Sequence, residues 1–216
     1  MKQYPIFITM VILLFSCREQ AINENIYSET YTVGKIPGLK SFETYNELDK
    51  RTEKILKSVD SLNPSEAFGK NRSRIFMESY SNGKKAPQDS AFYQGLPTPC
   101  YFEMTGDTLV FRVGIGFFGG MGVEIAIFKN KFQSSYFLYT DDVKPYKYNL
   151  SEDFTNNIRL KSKYQTLILN EQPTFKAGQQ LTGYLTFTSP VFFERSLQNL
   201  DSNYVKGKLY FTCLTQ

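Results

Sequence analysis

Three side chains in this sequence carry chemistry that a fold must place with care: Cys17, Cys100 and Cys213, the only cysteines among 216 residues. A thiol can act as a nucleophile, ligate a metal, carry a lipid or pair with another thiol. The rest of the composition narrows that choice. There is no histidine. A Ser-His-Asp or Cys-His nucleophile and a His-ligated zinc are therefore excluded, and the commonest general base is missing. Two cysteines beyond the N-terminus, without histidine, are too few ligands for a metal. The acidic clusters Asp141-Asp142 and Glu152-Asp153 lack the repeated spacing of a calcium loop and read as solvated turns. Gly114, Gly116 and Gly119 match G-x-G-x-x-G, a phosphate-cradling pattern that needs a helix directly after the glycines. Here the glycines lead into Val123–Phe128, an alternating run rich in β-branched residues, so they read as a hairpin bend. Carboxylate-only catalysis survives, but nothing in the sequence marks it, and the expectation is a chain without catalytic residues, metal or cofactor.

Cys100 and Cys213 each lie in an alternating segment, beside Phe102 and Met104 in the first and Leu209 and Phe211 in the second. Period-two alternation puts both thiols on inward faces. In an oxidising compartment they can pair and clip the first and last strands of the domain together; otherwise they serve as small buried hydrophobes. Both readings stand at the level of sequence.

Cys17 has a different setting. Lys2 gives a positive start, and Ile6–Phe15 is an apolar run too short to cross roughly 30 Å of hydrocarbon as a helix. Residues 1–16 read as a signal peptide. They end in Leu14-Phe15-Ser16-Cys17, which resembles the lipobox of bacterial lipoproteins. The resemblance implies diacylglycerol on the Cys17 sulfur, cleavage before Cys17 and acylation of the new amine. Arg18 stands where Asp would signal inner-membrane retention, which implies the outer membrane of a Gram-negative cell. A second resemblance concerns Asp60-Ser61-Leu62, Asp89-Ser90-Ala91 and Asp107-Thr108-Leu109, which are similar to the acceptor of the general O-glycosylation system of some such bacteria. Of these, Ser90, in a loop, is the candidate acceptor.

The elements that must hold these residues are legible by periodicity. Residues 17–40 are polar and read as a lipidated tether, with weak alternation over Ile26–Val33 that can add a strand at a sheet edge. Residues 41–99 read as one amphipathic helix followed by a basic loop region. The helix spans Ser41–Leu62, opens on a Thr44-x-x-Glu47 capping box and stops at Asn63-Pro64. Its stripe of Tyr45, Leu48, Thr52, Ile55, Val59 and Leu62 fits a helix laid on its own domain, with a partner helix as the alternative. The basic region, Ser65–Pro99, carries Lys70, Arg72, Arg74, Lys84 and Lys85, contains one short strand at Arg74–Tyr80 and reads as solvated loop, with anionic lipid as the alternative contact.

Residues 100–216 read as the β-sandwich core. Gly106-Asp107 and Asn130-Lys131 mark hairpin turns, and Leu109, Phe111, Val113, Ile115 and Phe117 alternate against Arg112 and glycines. Val123, Ile125 and Ile127, then Leu185 and Phe187, then Leu209 and Phe211 continue one interior. The expected fold is mainly β: an antiparallel β-sandwich or partly open barrel with one N-terminal helix. The expected function is that of a cell-envelope lipoprotein with a non-catalytic scaffolding or protein-interaction domain. The alternative is a glycan- or peptide-binding module using outward aromatics such as Tyr184 and Tyr210. The partners implied are the membrane, through Cys17, and an envelope protein or glycan. A dispersed net charge of +4 gives no groove for nucleic acid.

Overall fold

The computed structural model describes residues 28–44, 47–57, 71–87, 95–116, 119–196 and 199–215. Strands β1 (Glu29–Thr30) and β2 (Thr32–Val33) come first, followed by helices α1 (Leu39–Glu43) and α2 (Glu47–Lys57). Next come β3 (Arg72–Ser81), β4 (Lys84–Lys85), β5 (Leu96–Thr105), β6 (Thr108–Gly116), β7 (Gly119–Phe128) and β8 (Lys131–Thr140). Then follow β9 (Tyr146–Lys147), β10 (Asn157–Lys161), β11 (Tyr164–Leu169), β12 (Gln180–Thr188), β13 (Phe192–Ser196) and β14 (Asn199–Leu214). All described strands join one sheet in the order β1-β8-β7-β6-β5-β3-β14-β12-β11-β2, with β10 also on β8, β4 on β3, and β13 between β14 and β9. Pairing is antiparallel except between β2 and β11, so the sheet is mixed, and it is not closed into a barrel.

Strand β5 changes neighbours halfway. Leu96–Pro99 pairs with β3 and Cys100–Thr105 with β6, so one strand hands the sheet from its first half to its second. Pro97 and Pro99 have no N–H to donate, which restricts laddering over that stretch. At the two ends of the strand order, only Tyr31 separates β1, on the edge of β8, from β2, on the edge of β11. Tyr31 is buried, and one short N-terminal stretch thus reaches both free edges. Beside it, the link from β10 to β11 is held by Ser162 N–H donating to Ser134 O at 2.9 Å.

The interior joins side chains from both halves. Phe111 and Phe211 have ring centroids 5.2 Å apart, and Tyr136 and Phe187 6.3 Å. Phe111, Val113, Ile125, Ile127, Leu185, Phe187, Leu209 and Phe211 are all buried, while Arg112 and Lys208 are exposed, as the alternation predicts. Ile115 and Met104 depart from it. Ile115 is 37% exposed, near the end of its hairpin, and Met104 is 48% exposed, beside the Gly106-Asp107 turn. Alternation assigns a face, but cover runs out at the ends of strands.

Several expectations need correction. The helix expected over Ser41–Leu62 is broken at Thr44, whose backbone is extended (φ −72°, ψ 117°). The Thr44 hydroxyl donates to Lys40 O at 3.0 Å, closing α1 rather than capping a helix through Glu47. Thr52 is buried, as the stripe requires; the side chains of Tyr45, Leu48, Ile55, Val59 and Leu62 lie outside the described residues, as does Phe117. The edge strand expected within Ile26–Val33 is present as β1 and β2, so the chain joins the fold from Glu29 onward. The strand expected at Arg74–Tyr80 is present and longer: β3 pairs with β14 along its whole length, from Arg72 opposite Thr212 to Ser81 opposite Asn203. Strand β5 starts four residues before Cys100, and β13 forms where no strand is expected. The second hairpin turn is Lys129-Asn130, since Phe128 stands opposite Lys131.

Candidate functional site

Cys100 sits where β5 changes neighbours, opposite Val113, and Cys213 lies near the end of β14, opposite Leu181. Both are buried in the shared interior. Their Cα atoms are 5.8 Å apart and a disulfide joins them across 113 residues of chain. That spacing is ordinary for the bond, and in the chain-entropy model closing so long a loop stabilises by on the order of 4–5 kcal/mol. Cys17 and Ser90 lie outside the described residues. No group of three metal-binding side chains occurs among the described residues. Gly114, Gly116 and Gly119 belong to the β6–β7 hairpin, where strand rather than helix follows, so the phosphate pattern has no helix N-terminus to complete it.

The outward aromatics are not an open platform. Tyr184 and Tyr210 pair across β12 and β14 with ring centroids 4.7 Å apart. Phe42 of α1 stacks on Tyr210 at 5.7 Å, and Phe76 approaches it edge-on at 6.0 Å. Burial raises the pKa of both tyrosines. Arg74 fastens this cover. Its guanidinium donates to Thr44 O at 3.0 Å, to Phe42 O and Gly95 O at 3.4 Å each, and to the Asp49 carboxylate of α2. Four contacts from one buried side chain tie α1, α2 and the entry to β5 onto the sheet.

A shallow depression of about 390 Å³ opens at the turn end of the molecule, lined by Met104, Gly106, Asp107, Lys129 and Phe175. Lys129 (φ 54°) and Phe175 (φ 53°) both have left-handed backbones, an uncommon state for side-chain-bearing residues that surrounding contacts must enforce. The enforcing contacts are visible. Tyr31 donates to Lys129 O at 3.2 Å. Gln179 accepts from Thr174 N at 2.7 Å and donates to Gln172 O at 2.8 Å, bracing the loop that carries Phe175. The depression offers an apolar ring and thioether beside one carboxylate and one ammonium, which suits binding more than chemistry.

Tyr136, Tyr146 and Glu194 gather at the opposite end. Glu194 stands opposite Tyr146 on one side and Asp201 on the other. Its pKa is raised, chiefly by burial, with Asp201 adding to the rise and the Asn203 amide, donating at 3.0 Å, opposing it. Burial likewise pushes the Tyr136 and Tyr146 phenols up. A carboxyl with a raised folded-state pKa binds its proton more tightly in the folded protein. Stability contributed by Glu194 is therefore complete at pH values below the unfolded pKa and declines as pH rises through the folded one. Glu194→Gln should raise the urea midpoint at pH 7 and leave it unchanged below about pH 4, where an ordinary glutamate is protonated. An equal shift at both pH values would show that ionisation is not the cause.

Compared with family models, curated proteins and solved structures, the chain matches none. Its function is argued from its own residues. Arg74, Tyr31, Phe175 and Glu194 are the positions that sequence reasoning missed; the partners of Arg74 and Tyr31 lie far away along the chain.

Proposed function

We propose that the chain is a lipid-anchored lipoprotein of the cell envelope, carried to the outer membrane of a Gram-negative cell, whose domain holds a protein partner without catalysis. The observation that carries the reading is the allocation of its three cysteines. One ends a lipobox-like sequence, and the other two are buried together as a disulfide. Disulfides persist in oxidising compartments, which agrees with export. With both remaining thiols in that bond and no histidine in the chain, a Cys-His or Ser-His nucleophile–base pair has no members. In this reading the two halves of the sheet pack face to face as a sandwich, supported by the Phe111–Phe211 contact and the change of neighbours in β5. Scaffolding is favoured over ligand capture because Tyr210 is half-buried under Phe42 of α1, Tyr184 is half-buried beside it, and the depression is shallow.

A second reading, a glycan- or peptide-binding module, rests on that depression. A Phe175 ring beside Asp107 and Lys129 can stack on an apolar face while the charged groups accept and donate hydrogen bonds.

Lipidation provides the test. Cys17→Ser should abolish incorporation of labelled palmitate and leave the protein uncleaved or soluble. A variant that still takes up label and fractionates with membranes would overturn the anchor, and with it the envelope assignment.

A further inference from the structure

On the outward corner formed by β9 and β13, two cations share one aromatic ring. Lys147 Nζ lies 4.8 Å from the Phe154 centroid, and Arg195 Cζ lies 4.3 Å from it. Strand pairing places Lys147 opposite Phe193, and the Arg195 N–H donates to Pro145 O at 2.8 Å, so the backbone fixes both. Lys147 is only 9% exposed. Its ammonium has three donors, of which one goes to Leu150 O at 3.0 Å. Among the described residues no carboxylate is ion-paired with either cation. Two acids close by in the chain are engaged elsewhere. Glu152 accepts from the Asn149 amide, and Glu194, on the opposite face of β13 from Arg195, accepts from Asn203. A largely buried cation without a countercharge is unfavourable.

We propose that Lys147 and Arg195 form a binding site for a phosphate-type oxyanion, with the Phe154 ring holding both cations in position. Two monocations balance the charge of a phosphate near neutral pH. A guanidinium offers it a planar fork and an ammonium a compact charge. The site is independent of the lipid anchor.

Full-length protein, purified in a non-ionic detergent, should be titrated with inorganic phosphate at constant ionic strength while the Lys147 Nζ and Arg195 Nε resonances are followed by NMR. Saturable shifts are expected with phosphate and not with chloride. Arg195→Gln, at an exposed position, should weaken binding about tenfold, the loss expected for one charge-assisted hydrogen bond; Lys147→Met should do at least as much. Equal responses to chloride and phosphate, or undiminished phosphate binding by Arg195→Gln, would overturn the site. Micelles doped with phosphatidic acid separate the sources. Competition with inorganic phosphate at the same two resonances points to a phosphorylated lipid headgroup, and no competition points to free phosphate.

Discussion

Phe111→Ala should cost about 3–5 kcal/mol of stability, among the largest losses available to a single core substitution. Phe111 is fully buried between Phe102, 5.5 Å away on β5, and Phe211, 5.2 Å away on β14. Its loss opens a cavity walled by strands from both halves of the sheet. Those strands are fixed by their own ladders and by the disulfide, so the void cannot collapse. Arg112, one residue on, provides the control. It pairs with Glu103 and Glu124 on an exposed face, where water and salt screen the charges. Arg112→Ala should move the urea midpoint only slightly. Comparable losses for the two would mean that the strand's inside and outside have been misassigned.

The second large effect concerns the ion pair of Arg74 and Asp49, whose side chains are each only 5% exposed. Asp49→Ala should cost about 3–5 kcal/mol, because it leaves a guanidinium buried without its countercharge. The loss should also free α1 and α2 from the sheet, since Arg74 reaches both. The double variant Asp49→Leu with Arg74→Met removes both charges and should recover much of the loss, falling well short of the sum of the single effects. Additive losses in denaturant would show that the two residues act separately and that the helices are held by something else.

The contrast between these two sites explains what could be read in advance. Phe111 lies in a segment whose every second residue is apolar, so local order alone assigns it to the core, and the Gly106-Asp107 turn sets its hairpin. Arg74 lies in β3, whose outward residues Arg72, Arg74 and Glu78 look like a solvated face. It is buried because α1 and α2, about thirty residues earlier, fold over it, and no local spacing reports a partner at that distance. Tyr31 poses the same difficulty: an aromatic in a polar stretch, fixed by Lys129 and Gln172 far along the chain. The cysteine pair falls between the two cases. Inward facing was legible for both thiols, but their proximity depends on β5 and β14 lying near one another, which required the sheet order.

One feature of the pairing between β12 and β14 bears on how the fold avoids mistakes. Gly183 stands opposite Phe211 and Gly207 opposite Phe187, so each strand lays an aromatic ring over a glycine of the other. A side chain at either glycine would collide with the ring. Apolar alternation rejects a slip of one residue, which would turn every side chain to the wrong face. It is blind to a slip of two, which keeps inside and outside intact. That slip would bring Leu209 or Cys213 to Gly183's place opposite, and set the Phe187 ring on Val205 or Leu209. The reciprocal notches catch this second error. They act as a keyed connector, so the mating of the two strands is checked once for face and again for position.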